Sequence, residues 1–143
     1  MRRMYVLYDP GCGLCSRVRR WMEGQPMFLD IEFIPATSAK AARWFPTLAT
    51  PGAPEELIVV GDDGSVYRDD SAWIMCLYGL VEFRAWSYRL SRPAVMPFAR
   101  EAFGLLSHHR RRISRWLGLL SDADLVEALR RETTPRCAGG PTA

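Results

Sequence analysis

The sequence lacks any long hydrophobic run. Its longest apolar stretch, residues 72–81, contains Gly79 and falls well short of the ~20 residues that a membrane-spanning helix needs. The first residues also lack the apolar core and the small-residue cleavage site of a secretory signal peptide. We therefore expect a cytoplasmic protein that makes no contact with a membrane.

Lysine is nearly absent, and cysteine is scarce. Lys40 is the only lysine among 19 basic residues, and 16 acidic residues leave a formal net charge of +3, which does not indicate a nucleic-acid partner. The sequence has four cysteines, and in a reducing compartment they are not expected to form a disulfide framework. Only Cys12 and Cys15 are close in sequence, and in a reducing compartment such a pair indicates redox chemistry or metal binding.

Hydrophobic patterning predicts one α/β domain with a sizeable core. Residues 4–9 form a short apolar strand that ends at Pro10-Gly11, and apolar positions at steps of three and four residues predict a helix over 12–23. The later elements are a strand over 28–34, a helix over 39–45, a β-hairpin around the turn 61–64 and a helix that ends near 81. A βαβ unit followed by a hairpin and a helix is the order of the thioredoxin-like fold.

Residues beyond about 85 predict added helices and no further strand. A helical region covers 94–120, and Ser121-Asp122 predicts the cap of a last helix over 123–131. An apolar stripe on the first of these helices needs a surface to pack on, and it consists of Phe98, Ala102, Leu105 and Leu106. We therefore expect a single domain over residues 1–132 with a helical extension from about 85, followed by a flexible tail over 133–143.

The Cys12-x-x-Cys15 pair lies where the first predicted strand meets the first helix. The first N–H groups of a helix have no partner within the helix, and together with the aligned peptide dipoles they stabilise a thiolate. We predict that Cys12 is the nucleophile, with its sulfur facing solvent, and that Cys15 is the shielded thiol that resolves the mixed disulfide. The predicted partners are thiols or disulfides of proteins or small molecules, and this chemistry needs no cofactor and no metal.

Asp9 lies three residues before Cys12, in the same turn. Its carboxylate can accept a proton from a cysteine or a hydrogen bond from an N–H of the helix start, although its negative charge opposes thiolate formation. Aspartates in such turns are more often only turn formers or caps. We predict a supporting role for Asp9 in the thiol chemistry.

The segment from Asp9 to Cys15 resembles the Asp-x-x-Cys-x-x-Cys motif that names the DCC family of thiol-disulfide oxidoreductases. Further similarities are the hairpin end at residues 64–68, Ser71-Ala72 and the basic stretch over 109–115, so the resemblance covers about residues 5–118. It implies a thioredoxin-like fold and oxidoreductase activity in a single chain, which we take to be a monomer.

The sequence departs from the pattern at two places. Pro10 stands where the family usually has glycine directly after the aspartate. The cis-proline that thioredoxins place before the third strand has only Pro51 or Pro54 near it, and both are displaced by a few residues. We assign no substrate binding to either proline.

Two other functions stay open on the sequence. A structural zinc site would need two further ligands, from among His108, His109, Cys76 and Cys137, but Cys76 lies in an apolar stripe where cysteine is usually a small buried hydrophobe. Alternatively, a non-catalytic thioredoxin-like module would bind a protein partner through its apolar, arginine-rich helices.

Two groups of side chains have ordinary structural interpretations. The basic stretch over 108–115 is more often a solvated helix face than a binding site for phosphates. The tryptophans occupy helical positions and are more often part of a core than of a ligand site, and they are Trp21, Trp44, Trp73, Trp86 and Trp116.

Overall fold

The computed structural model describes residues 1–48 and 57–133, which form four strands and six helices. In chain order these elements are β1 Arg3–Tyr8, α1 Gly13–Glu23, β2 Asp30–Pro35, α2 Ala39–Trp44, β3 Ile58–Gly61, β4 Val66–Arg68, α3 Asp69–Tyr78, α4 Arg84–Leu90, α5 Met96–Trp116 and α6 Asp122–Thr133. Pro51, Pro54, Cys137 and nearly all of the predicted tail lie outside the described residues.

The four strands form one mixed sheet in the order β2-β1-β3-β4. β1 runs parallel to β2, with Val6 opposite Phe33, because α1 carries the chain back across the sheet between them. β3 pairs antiparallel with β1 and with β4, the latter through the predicted hairpin. This architecture confirms the predicted α/β, thioredoxin-like fold.

Each face of the sheet is covered by helices. Alternate residues of β1 point to opposite faces, so Met4, Val6 and Tyr8 pack against α1 and α3, whereas Leu7 packs towards α2. Cys15 of α1 and Cys76 of α3 are part of the first core. The thiol pair therefore lies at one end of this layer, where β1 ends and α1 begins.

The C-terminal helices pack differently from the prediction. Phe98 and Leu105 are 72% and 56% exposed, so the expected packing of their apolar stripe is wrong. α5 instead buries Ala99, Arg110 and Ser114 on the side that lies against α1 and α3. Small side chains let α5 approach the start of α1 closely, which explains why an apolar stripe did not mark the buried face.

Two further differences concern helix number and exposure. α4 was not predicted as a separate helix, and only Ser87 of its seven residues is buried. The tryptophans are wrongly assigned to the core, since four of the five are exposed and only Trp73 is half-buried. None of the helices in the described ranges is both long and apolar enough to cross a membrane.

Candidate active site

Cys12 is the N-cap residue of α1, and its sulfur accepts a hydrogen bond from the backbone N–H of Cys15 at 3.4 Å. The N–H of Cys12 donates in turn to the carbonyl of Asp9 at 3.2 Å, which closes the turn after β1. Cys12, Cys15 and Cys76 are all free thiols. The structure thus places the Cys12 sulfur at the helix start, as the sequence predicts.

The pKa values of the two thiols are shifted in opposite directions. The pKa of Cys12 is lowered, first by a hydrogen bond from the Cys15 thiol and also by the Cys15 backbone N–H and the charge of Arg110, which together outweigh burial and the charge of Asp9. The pKa of Cys15 is raised by its hydrogen bond with Cys12 and by burial. These opposite shifts favour a negative charge on Cys12 over one on Cys15.

Both sulfurs are buried, with Cys12 1% and Cys15 7% exposed, so the predicted solvent-facing position of Cys12 is wrong. The end of α5, the connection to α6 and the start of α6 lie against the Cys-x-x-Cys turn, and we call these residues, 114–123, the cap. A Cβ atom at Gly13 would lie 2.3 Å from the carbonyl oxygen of Leu119 and 2.4 Å from Oγ of Ser114. Only glycine therefore fits beneath the cap at this position.

Polar contacts hold the cap to the strand-to-helix turn. The N–H of Ala123 donates to the carbonyl of Pro10 at 3.1 Å, and the N–H of Asp122 donates to the buried hydroxyl of Ser16 at 3.0 Å. The Asp122 carboxylate also accepts from Tyr8 at 2.9 Å and forms a salt bridge with Arg19 at 3.2 Å. The cap therefore includes the start of the predicted last helix, α6, and lies directly over the thiol site.

Asp9 is buried beside the pair, and both of its carboxylate oxygens have partners. One oxygen accepts the N–H of Gly11 at 2.8 Å, so the hydrogen bond goes to the turn before the helix. The other oxygen lies 3.2 Å from a guanidinium nitrogen of Arg111 and 3.6 Å from one of Arg110. The structure thus brings Asp9, Cys12 and Cys15 together, and it adds two arginines to them.

The sequence interpretation missed Arg110 and Ser114 as parts of this site. Both are buried, so the expectation of a solvated face over 108–115 is wrong for them, although Arg112 and Arg115 are exposed. Their spacing of four residues puts them on one face of α5. That spacing, within a stretch that the family resemblance includes, was the signal available in the sequence.

A small, largely apolar cleft lies beside Cys15. Tyr8, Arg19, Trp73 and Cys76 are among the residues that line it. Burial raises the pKa of Cys76 to about 12, so this thiol stays protonated and packs as a small hydrophobe, which confirms its predicted role.

Among the residues that the structure describes, the ligands considered for zinc do not form a metal site with the pair. His108 and His109 are neighbours on α5, with ring centroids 4.9 Å apart. Over residues 1–48 and 57–133 no group of three or more histidine, cysteine, aspartate or glutamate side chains is arranged to hold a metal ion. Cys137 lies outside these ranges.

Comparison with known proteins agrees with the geometry of the site. The sequence model described as DCC1-like thiol-disulfide oxidoreductase matches residues 6–116, which include the Cys-x-x-Cys turn and all of α5. No curated protein and no solved structure matches the chain. Since the match covers most of the 143 residues, the chain belongs to the DCC1-like thiol-disulfide oxidoreductase family.

Proposed function

We propose that this protein is a thiol-disulfide oxidoreductase that cycles Cys12 and Cys15 between dithiol and disulfide. The observation that carries the proposal is the asymmetry of the pair. Cys12 accepts the Cys15 amide at the start of α1 and has a lowered pKa, whereas the pKa of Cys15 is raised. A thiolate is the nucleophile in disulfide exchange, so the Cys12 sulfur attacks the substrate and the protonated Cys15 resolves the mixed disulfide afterwards.

The reaction transfers two electrons through two exchanges of sulfur. The Cys12 thiolate attacks a substrate disulfide, a Cys12–substrate disulfide forms, and the first substrate sulfur leaves as a thiolate that takes up a proton. Cys15 then loses its proton and attacks the Cys12 sulfur, which forms the Cys12–Cys15 disulfide and releases the second substrate thiol. An external dithiol returns the electrons, and the same steps in reverse oxidise a substrate dithiol.

The mixed disulfide also activates Cys15. The largest influence that raises the pKa of Cys15 is its hydrogen bond with Cys12, and the negative charge of Cys12 acts in the same direction. Once Cys12 is bonded to substrate, it carries no charge. Cys15 can therefore release its proton at the step that needs it.

Exchange requires the cap to move, because a disulfide cannot reach the thiol of a residue that is 1% exposed. The contacts that hold the cap are mainly hydrogen bonds and one salt bridge, which water can replace when they open. We propose that substrate enters when residues 114–123 lift away from Gly13. Closure then excludes other reagents from the thiolate.

The central test is to trap the intermediate. The wild-type protein should reduce glutathione disulfide with an external dithiol, Cys15→Ser should accumulate a mixed disulfide at Cys12, and Cys12→Ser should do neither. Cys76→Ala serves as the control, since Cys76 lies beside Cys15 but takes no part in the proposed reaction. Mass spectrometry identifies the modified cysteine. Exchange at the wild-type rate in Cys12→Ser would refute the proposal.

The pH dependence provides a second prediction. The reactive form is the thiolate, and the pKa of Cys12 is lowered from 9.0 to about 6. The rate of Cys12 alkylation by iodoacetamide should therefore rise with a midpoint of about pH 6 and be level by about pH 8, where more than nine-tenths of a group with such a pKa is ionised. Glutathione, whose thiol titrates at about pH 8.5, is the control, and its alkylation rate should still increase over the pH range in which the Cys12 rate is level. A Cys12 rate that keeps rising through pH 9 would contradict the assignment.

We further propose the setting in which this chemistry takes place. The protein acts as a monomeric, single-domain enzyme of the cytoplasm on protein or small-molecule thiols and disulfides, with Asp9 in a supporting role. Fractionation of cells and sedimentation of the purified chain test the location and the monomer.

A second candidate is a protein-interaction module, which the exposed apolar side chains of α5 and α6 favour. Phe98, Leu105, Trp116 and Leu129 are all more than half exposed. Under this hypothesis, a Cys12→Ser/Cys15→Ser variant keeps its partner, whereas Phe98→Ser/Leu105→Ser loses it. Loss of the partner with the cysteines would favour the redox function.

A further inference from the structure

The buried charges that act on the Cys12 thiol come from two distant parts of the chain. Asp9 follows β1, and Arg110 lies near the end of α5, yet both are buried and their charged groups lie 3.6 Å apart. Water is largely excluded from such a pair, so each charge acts on its surroundings with little screening. The two buried charges therefore produce an electrostatic field of fixed direction at the groups beside them.

Asp9 is held so that it orients Arg110. One of its carboxylate oxygens is fixed by the N–H of Gly11 at 2.8 Å, and the other faces the guanidinium. The carbonyl of the same residue accepts the N–H of Cys12 at 3.2 Å, so the turn that carries Asp9 also carries the thiol. A shift of Asp9 would move both Arg110 and the start of α1.

We propose that Arg110 is a positioning residue of the thiol site: anchored by Asp9, it supplies a buried positive charge from α5 that favours the thiolate form of Cys12. This inference rests on the proposed redox function and deepens it. It gives α5, which lies outside the βαβ unit and the hairpin, a part in the chemistry. It also reassigns Asp9 from proton acceptor to anchor of the guanidinium.

The remaining charges around the pair do not replace Arg110. Arg111 contacts the same carboxylate oxygen at 3.2 Å, but its side chain is 59% exposed, so water screens its charge. Arg19 of α1 and Asp122 of α6 form a salt bridge with each other, and neither is among the main influences on the pKa of Cys12. The main groups that act on the Cys12 thiol are thus Cys15, Arg110 and Asp9.

The test titrates the thiolate by its ultraviolet absorbance in the reduced full-length chain, in a Cys137→Ser background. Cys15 and Cys76 have raised pKa values, so Cys12 is the thiol that ionises across neutral pH. Arg110→Gln should raise the midpoint by about one unit, which is about a tenfold lower ratio of thiolate to thiol at a given pH. Arg110→Lys keeps the charge and should restore most of the wild-type midpoint.

Two controls keep the result decisive. Arg112→Gln removes an exposed charge from the same helix and should leave the midpoint unchanged. If Arg110→Gln does not fold, the midpoint of Arg110→Met, which keeps the aliphatic volume of the side chain without its charge, is compared with that of the wild-type protein and should also be about one unit higher.

Equal midpoints in the pair of variants compared would overturn the proposal, as would a shift that Arg110→Lys fails to restore, because packing and not charge would then be the cause. The proposed redox function fails by a separate readout, the activity of Cys12→Ser and Cys15→Ser. The activity of the cysteine variants tests the redox function, whereas the titration midpoint tests the role of Arg110. The failure of either proposal can therefore be distinguished from the failure of the other.

Discussion

Gly13→Ala should open the cap and expose Cys12. The new Cβ atom would lie 2.3 Å from the backbone carbonyl of Leu119, and a backbone atom cannot rotate away as a side chain can. Overpacking of this kind costs about 1–3 kcal/mol, which would raise the population of the open cap about 5–150-fold. The rate at which Cys12 reacts with iodoacetamide should increase in proportion, as measured by mass spectrometry of the modified peptide.

Gly24→Ala is the matched control for this variant. Gly24 caps the other end of α1, and a Cβ atom there would meet its nearest neighbour at an ordinary 3.5 Å. The Cys12 rate should therefore stay at the wild-type value. Since Gly13 lies between the two cysteines, both rates are divided by the thiolate fraction from an absorbance titration. A Gly13→Ala protein with the wild-type corrected rate would show that the cap does not limit access.

Asp9→Ala should cause the largest loss of stability at the site. The substitution removes the carboxylate that faces the buried Arg110, and with it the acceptor of the Gly11 N–H. Removal of one partner of a buried ion pair costs about 3–5 kcal/mol, because the remaining charge keeps its desolvation penalty without the compensating attraction. Urea unfolding should show this decrease in the free energy of unfolding.

An exposed ion pair provides the comparison. Asp30 pairs with Arg3 at the surface, where both side chains are more than half exposed, so Asp30→Ala should cost less than about 1 kcal/mol. The double variant Asp9→Ala/Arg110→Met should be less destabilised than the sum of the two single variants, since the two residues interact directly. An Asp9→Ala protein no less stable than Asp30→Ala would contradict the buried pair.

The local part of the site could be predicted from the sequence. Pro10-Gly11 ends an apolar strand, and the apolar steps of residues 14–22 define a helix, so Cys12 had to lie near a helix start. The same reasoning predicted the order of the four strands along the chain and the hairpin between the last two. These features depend on neighbours in sequence, which is why their pattern is visible in one chain.

The cover of the site could not be predicted in the same way. The contacts of Gly13 with Leu119 and of Asp9 with Arg110 join residues about a hundred positions apart, and hydrophobic patterning does not report such pairs. Arginine is almost never fully buried unless it is paired, so a solvated face was the natural interpretation of Arg110. The packed side of α5 was also not evident from hydrophobicity, since the buried Ala99 and Ser114 are less hydrophobic than the exposed Phe98.

The distance in sequence between the cysteine turn and its cap has a consequence for synthesis of the chain. Asp9 and Arg111, which meet in the folded protein, are 102 residues apart. At the usual rate of translation, about 5–20 residues per second, the turn leaves the ribosome roughly 5–20 s before α5 is complete. During that interval the nascent thiols are open to any oxidant or disulfide nearby, and the protection that the folded protein gives them arrives only with its C-terminal helices.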